Sequence, residues 1–576
     1  MRSFAEHHDI AVKAARAAGD LLRADFHRAT GPRGELDKAP ADTEAEQLIR
    51  SILLSGGGDF GFLGEETGRV PGTPGAPIWV VDPNDGTRDY IKGRRGSSVS
   101  IALVWEGRPV LGVVHPFGYP DDDGAMYTAV DGREGVWKNG APVAAELPAR
   151  LTDLDVVLVS GGGDRAARAN MQCTKPARVM SIPSIAHRLA KVAAGEASAT
   201  TSLYSPRTWD FAAGHCLVLA AGGALVDQYG NAPVYDHEAD GTAPRLFAGS
   251  RTVALDLAGR DWDLAFRSQR ETSMPIVRLR KGGAVGDPAL LARAQGAILG
   301  HLIGSSLWAH SFTASQPPPA EGQLGSCGEI AVACARSLID LASESKSLKR
   351  AYASWTESSP LAPDRSMESA AKGQPLSSSL SSIALARVTP LAVWSQSTDP
   401  SILIAKIRAD TAITHPSPIA GEAAAVLGIT LQALLQGTDP VLSIEAAHAF
   451  ARRSGFSREV IDAVAGSTEA PRPGRGVFDA QDVLALIHAA LFSLAKASSF
   501  DGALEAALAV SPGSDALPAI TGAVMGARFG RNGIREGLRN LVLSCRPMEG
   551  FAKNPRPATY WGTDALTLAE ALLTAR

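Results

Sequence analysis

The sequence predicts an α/β or α+β half followed by an all-α half. Length is the first reason: at ~100–200 residues per domain, a chain of 576 residues is too long for one core. The second is alternation. Before residue 270, short β-branched runs at Ile78–Val81, Val99–Trp105, Val110–Val114 and Val156–Val159 lie between helical patterns, as strands layered with helices require. The third is the near-disappearance of such runs after residue 270, where alanine-rich helical patterns take over.

Taken in order, Ser98–Trp105 and Pro109–His115 read as two strands joined at Glu106-Gly107 by a tight hairpin, because glycine accepts the positive φ of a two-residue turn. Thr272–Gly286, with Lys281-Gly282-Gly283, reads as a linker, which sets domains at 1–270 and 287–576 with a linker over 271–286. The next helix opens at Asp287-Pro288, an N-cap followed by a first-turn proline. Its apolar residues Leu290/Leu291, Ala294, Ile298/Leu299 and Leu302/Ile303 recur about every fourth position and form one buried stripe. Helical patterns follow at Ile402–Ile413, Gly421–Leu435, Ser443–Arg453, Gln481–Ala497 and Asp564–Thr574, and Ser311–Gly325 and Ser377–Ser382 read as loops.

Composition excludes several classes. Hydrophobic residues at 45% and charged residues at 20% match a soluble globular protein rather than a disordered or collagen-like one. Lys+Arg 56 against Asp+Glu 60 leaves −4, which argues against a general nucleic-acid or membrane-surface binder. The cysteines Cys173, Cys216, Cys327, Cys334 and Cys545 are scattered without CxxC spacing, as expected of reduced thiols in the cytoplasm. The N-terminal segment carries charges where a signal peptide needs an apolar run. Apolar stretches read as short of the ~20 residues a membrane span needs.

Three acidic motifs carry chemistry in the first half. Gly64-Glu65-Glu66 follows a short apolar run, Trp79–Thr87 runs as a strand into the turn Asp82-Pro83-Asn84-Asp85-Gly86-Thr87, and Trp209-Asp210 precedes helical Phe211–Leu219. Magnesium takes hard oxygen ligands, a few carboxylates with water and substrate phosphate. Asp82 and Asp85 can point to one centre from one turn, with the Asn84 carbonyl between them. Gly86-Thr87 then offers backbone N–H groups to a phosphate. Each motif alone is an ordinary turn dipeptide; the three in this order are much less so.

These motifs, with the acidic segment Ala41–Glu46 and the hairpin Ser97–Phe117, resemble the inositol monophosphatase family of magnesium-dependent, lithium-sensitive sugar phosphatases, over residues 5–265. The resemblance implies an α/β/α/β/α layered sandwich holding two or three Mg2+ ions. Its metal ligands would be Glu65, Asp82, the Asn84 carbonyl, Asp85 and Asp210. Thr87, with Asp42 or Glu65, would orient and activate the attacking water. Gly86, Thr87, Arg188 and Arg207 are the candidate substrate contacts. Ala39-Pro40-Ala41 departs from the family, which places threonines just before its aspartate.

The second half resembles the ADP-ribosylglycohydrolase family over residues 285–576. The carrying segments are Ala292–Gly300, Gly322–Glu329, Thr414-His415-Pro416, Gly513–Ala516 with Ala519–Ala523, and the Trp561–Leu573 helix. The departures fall on the chemistry: Gly325, Ser326, Cys327 and Gly328 stand where the family has Thr-Asp-Asp-Thr, and of its Asp-x-Asp-Thr motif only Asp515 survives. No metal is therefore expected here. Glu329 and Asp515 are the candidate acids for metal-free cleavage of an N-ribosyl bond, since carboxylates alone can handle an oxocarbenium-like transition state; Glu321 is a weaker third and His415 reads as structural.

Joined, the halves suggest a phosphatase acting on a sugar- or ribose-phosphate small molecule, a ribosyl 5′-phosphate among the options, and a hydrolase that then removes the ribose. The alternatives are a single-function inositol or sugar phosphatase whose second half serves binding or oligomerisation, and a helical half that recognises ADP-ribose on a partner. The reading leaves a homodimer open.

Overall fold

The computed structural model describes residues 4–55, 59–235, 242–267, 277–312, 319–340, 346–469 and 482–575. Parts of the expected linker and of the loop Ser311–Gly325, and Gln481, lie outside these. Two compact units emerge: one runs to residue 267 and includes Leu279–Gly286, the other takes residues 277–278 and continues from Asp287. In the first unit Leu279–Gly286 is held by its neighbours, with Arg95 Nη2 donating to the Val285 carbonyl at 2.8 Å.

The first unit is layered helix, sheet, helix, sheet, helix. Helices α1 (Ala5–Phe26) and α2 (Pro40–Ser55) cover one face of a sheet built from β1 (Gly61–Gly64), β2 (Gly68–Val70), β3 (Ile78–Asp85), β4 (Ser98–Trp105), β5 (Arg108–His115), β6 (Tyr127–Val130), β7 (Arg133–Lys138) and β8 (Ala141–Val143), in the order β2-β1-β3-β4-β5-β6-β7-β8. One-turn α3 (Thr87–Tyr90) follows β3. A second sheet, β10-β9-β11-β13-β12, comprises β9 (Val156–Val159), β10 (Arg178–Ser181), β11 (Ala199–Ser202), β12 (Ala224–Asp227) and β13 (Leu246–Gly249). Between the sheets lie α5 (Ile185–Ala193) and α6 (Thr208–Ala220); α4 (Ala167–Thr174), α7 (Arg251–Ala258) and α8 (Leu264–Arg267) complete the unit.

Strand alternation explains the near-continuous apolar runs. Val99, Ile101 and Leu103 pack under α1 and α2, while Ala102 and Val104 on the opposite face pack with Leu189, Phe211 and Leu217 of α5 and α6. A sheet covered on both faces needs apolar residues at both parities. Val157, Phe247, Leu257 and Trp262 form the outer core. Glu106 and Gly107 both take positive φ, 49° and 75°, so the hairpin turns as expected. Gly112 on β5 lets α6 settle against the sheet: a Cβ there would lie 2.4 Å from the Ala213 carbonyl.

The second unit is built of α- and 3-10 helices among the described residues. Its first helix, Pro288–Phe312, starts where Asp287 Oδ1 accepts the N–H groups of Ala289 and Leu290, both at 3.0 Å. It crosses the helix Ala516–Phe529 in backbone contact, since a Cβ on Gly300 would stand 2.0 Å from the Gly522 carbonyl and one on Gly296 2.2 Å from that of Gly526. The helix Pro418–Leu435 corrects one expectation: its 18 residues are long and apolar enough to cross a membrane by length and composition. Its window is 78% buried, as the central helix of a core would be.

Candidate active site

The acidic motifs converge at the end of β3. Parallel pairing of β1 with β3 sets Gly64 opposite Val81, and the Glu65 N–H donates to the Val81 carbonyl at 3.2 Å, so Glu65 emerges beside Asp82. Pro83 has no N–H to give to a ladder, and the β3–β4 register shifts between Asp82 and Asp85. The chain there forms a small loop in which the Asn84 N–H donates to Asp82 Oδ1 at 2.8 Å. Ser100 Oγ on β4 donates to the Trp209 carbonyl at 2.9 Å, tying the start of α6, and with it Asp210, to the same sheet. Ser184 Oγ and the Ala186 N–H donate to Asp85 Oδ2 at 2.6 and 2.7 Å.

Asp42, on α2, completes the cluster from the other side. Asn84 Nδ2 donates to Asp42 Oδ1 at 2.9 Å, and Thr87 Oγ1 lies 2.9 Å from Asp42 Oδ2 and 3.0 Å from the Asn84 carbonyl. Crowded carboxylates away from water hold protons. Desolvation first, then Glu66 and Glu65, push Asp42 up to about 7. Desolvation in the cleft, then Glu66, Asp85 and Glu46, push Glu65 up to about 7. Asp82 and Asp210 are raised well above the carboxylate range by burial and by neighbouring acids, and burial raises Asp85 as well.

Of the expected substrate contacts, Gly86 takes a φ of 107° ahead of α3, a conformation that glycine adopts without strain. The helix it starts is four residues long, so any anion site there rests on local N–H groups and not on a macrodipole. Arg207 is exposed at the start of α6, its guanidinium carbon 5.5 Å from the Trp209 ring centre. Arg188 corrects the expectation. It is 1% exposed, its Nη1 donating to the carbonyls of Ile182 and Pro183 at 2.7 and 2.8 Å and its Nε to Thr200 Oγ1. That guanidinium braces the Ile182–Ser184 segment behind Asp85, its donors turned to these protein acceptors.

The sequence places Glu46 in the acidic segment Ala41–Glu46 without giving it a role. Its carboxylate is fully buried and accepts the N–H groups of Glu66 and Thr67 at 2.9 and 2.6 Å, holding the turn that presents Glu65. The readable signal was its place one helical turn after Asp42, on the same face of α2. Ser184 and Ser100 carried no such signal.

In the helical unit the two candidate acids meet different fates. Glu329 corrects the expectation of a catalytic acid: it is 2% exposed and forms a two-pronged ion pair with Arg556, Nε to Oε1 and Nη2 to Oε2, both 2.7 Å. Trp355 Nε1 adds a third donor at 2.9 Å, so both carboxylate oxygens are engaged. Asp515 Oδ2 accepts Ser305 Oγ at 2.6 Å and the Cys327 N–H at 2.8 Å, while Ser305 Oγ accepts the N–H groups of Gly325 and Gly328. A Cβ on Gly325 would stand 2.6 Å from Asp515 Oδ2. Asp515 and Ser305 thus fill the space beside Gly325–Gly328. Burial raises Asp515 despite these bonds. Glu321 lies 3.7 Å from His310, half-exposed. His415 is buried with Nδ1 2.8 Å from Thr414 Oγ1, and burial and Arg387 lower it to about 3.

Residues 5–261 match the inositol monophosphatase family and residues 286–574 match ADP-ribosylglycohydrolase. Inositol monophosphatase 3 of Solanum lycopersicum is 30% identical over 254 residues, 42% of this chain and 90% of that protein. The chain belongs to both families. Inositol-1-monophosphatase of Rhizobium meliloti is 31% identical, covering 38% of this chain and 85% of its own length. The 3′(2′),5′-bisphosphate nucleotidase CysQ of Escherichia coli K12 is 30% identical over 236 residues, 38% and 91% respectively. Among solved structures, extragenic suppressor protein suhB from Bartonella henselae aligns with 26% identity and a TM-score of 0.37, covering 45% of this chain and 98% of its own. Both halves are hydrolase domains, and the family places Mg2+ in the first.

Among the described residues no group of three or more Asp, Glu, His or Cys side chains is already arranged to hold a metal ion; what the inositol monophosphatase unit offers Mg2+ is donor chemistry. Glu65, Asp82, Asp85 and Asp210 are hard oxygen donors, and burial together with neighbouring acids raises their affinity for protons. The buried Asn84 Oδ1 has no hydrogen-bond partner. A pH effect follows. Asp42 and Glu65 rise from 3.8 and 4.5 to about 7, so without metal they stabilise the fold at low pH, and that contribution is lost as pH rises from about 4 through about 7. Mg2+ held by ionised Glu65 and its neighbouring acids would offset that loss. Its effect on the unfolding temperature is expected to grow between about pH 5 and about pH 8; equal stabilisation at both would contradict the assignment.

Proposed function

We propose that the first unit is a Mg2+-dependent phosphomonoesterase for a sugar- or ribose-phosphate small molecule, and that the helical unit removes the ribose once the phosphate is gone. The observation that carries the first part is the convergence of Glu65, Asp82, Asp85 and Asp210 with the Thr87–Asp42 pair. Glu65, Asp82, the Asn84 carbonyl, Asp85 and Asp210 would hold two or three Mg2+ ions, which would supply Lewis-acid stabilisation of phosphoryl charge and lower the pKa of water. The chain's own residues do the rest. Thr87 Oγ1 orients the attacking water and relays its proton to Asp42, which near pH 7 takes a proton readily. Gly86 and Thr87 N–H groups hold the phosphate, with Arg207 at the rim. The five cysteines, all buried and forming no disulfide among the described residues, support a reducing, cytoplasmic setting.

For the helical unit, family membership supports glycoside hydrolysis, and the filled space beside Gly325–Gly328 supports a metal-free version in which Asp515, raised by burial, is the remaining acid. The same filled space favours a second reading, a non-catalytic binding or oligomerisation module. A mass-spectrometric time course on ribonucleoside 5′-monophosphates, nicotinamide mononucleotide included, separates them. Phosphate loss that needs Mg2+, followed by ribose loss that persists in chelator and disappears in Asp515→Asn, is the expected result. Phosphate loss without ribose loss leaves the module reading standing, and no phosphate loss from any ester overturns the phosphatase reading.

A further inference from the structure

On the second sheet of the first unit lies a cleft that no step above uses. Its walls come from the glycine-rich turn Ser160–Gly163 after β9, from Thr201 and Leu203 at the end of β11, and from Tyr204 and Phe266. The turn rests on the catalytic segment: a Cβ on Gly161 would lie 2.9 Å from Asp89 Oδ2 and 3.4 Å from Pro183 Cα. Pro183 precedes Ser184, the donor to Asp85. The opposite wall runs directly through Leu203 and Tyr204 to Arg207 and Asp210. One wall therefore touches the segment that carries Ser184, and the other leads along the chain to Asp210.

The lining is unlike a polyol site. Tyr204 and Phe266 are 71% and 44% exposed. Their rings meet edge to face, 5.4 Å between centres. Arg245 covers Phe266 from 5.3 Å. On the floor the buried hydroxyl of Thr201 has no hydrogen-bond partner. The enclosed volume of about 40 Å³ holds a few waters and no purine, so a ring would lie across the aromatic rim, with a polar substituent reaching Thr201. Two exposed aromatic rings in contact are an expensive surface to leave in water and a good platform for a flat π-system.

We propose that Tyr204 and Phe266 are specificity-determining residues that select phosphate monoesters whose alcohol carries a flat aromatic ring, as in a nucleoside monophosphate, over ring-free sugar phosphates. The proposal rests on the phosphatase reading and names its substrate class. Adenosine 5′-monophosphate and ribose 5-phosphate, assayed on the full chain with Mg2+, share the same phosphoester and differ by the ring. The kcat/KM ratio is expected to favour adenosine 5′-monophosphate by about ten-fold, the lower end of base–aromatic stacking. Tyr204→Ala and Phe266→Ala should each lower that ratio at least about five-fold, and Tyr204→Phe should keep it. Tyr204 is exposed enough that its truncation leaves the fold intact, and the conservative variant checks this. Equal kcat/KM for the two esters, or a ratio unmoved by Tyr204→Ala, overturns the proposal with the phosphatase reading untouched. Phosphate release from neither ester removes both.

Discussion

Asp82→Asn is expected to abolish Mg2+-dependent phosphate release while leaving the metal-free protein as stable as the parent or more so at neutral pH. Asp82 is 2% exposed and stands among Glu65, Asp85 and Asp210, which with burial hold it far above the carboxylate range. In the metal-free protein it is protonated or costly, so a neutral amide of the same shape relieves repulsion. Asn retains an oxygen for the Asn84 N–H. With Mg2+ the balance inverts, because the ionised carboxylate is what a hard divalent cation requires. A metal contributes several kcal/mol to the transition state, so losing a ligand should cost on the order of a thousand-fold in rate. Steady-state phosphate release and calorimetry with and without chelator check both halves. A variant within about ten-fold of the parent rate, or one destabilised without metal, would remove Asp82 from the ligand set.

Glu329→Ala should destabilise the helical unit by about 3–5 kcal/mol, the cost of leaving one member of a buried ion pair unpaired. Arg556 would keep its bonds to the Ser358 and Ser359 carbonyls but lose both carboxylate oxygens. Arg556→Leu should cost a similar amount from the other side. Glu329→Met combined with Arg556→Leu should recover most of the loss, because a buried pair replaced by apolar residues of similar volume is close to neutral. Scanning calorimetry of the single and double variants measures the coupling. A Glu329→Ala protein that melts like the parent but no longer releases ribose would return Glu329 to the catalytic role expected from its motif.

That contrast shows where sequence reading stops. Glu329 and Asp515 were readable as a pair because both sit in motif segments, and a motif records position along the chain. Whether a carboxylate there is poised or committed depends on Arg556, 227 residues later, and on Ser305, 210 residues earlier than Asp515. Arg188 makes the same point: a basic residue in a substrate-facing stretch reads as an anion contact until backbone carbonyls are found around it. Glu46 is the converse, a residue whose work on the Glu65 turn became visible once β1 lay beside α2.

What the sequence determined by itself is local in origin. Turn chemistry at Asp82–Thr87 follows from proline, asparagine and glycine at short spacing. The hairpin at Glu106-Gly107 follows from positive φ, and the helical character of the second half from its four-residue apolar period. The tertiary structure alone decided which distant groups share a dielectric environment. Asp42 and Glu65 acquire protons near neutrality, Glu329 acquires a partner, and Tyr204 and Phe266 meet at the rim of one cleft, because burial and proximity are properties of packed layers. No spacing along the chain encodes them.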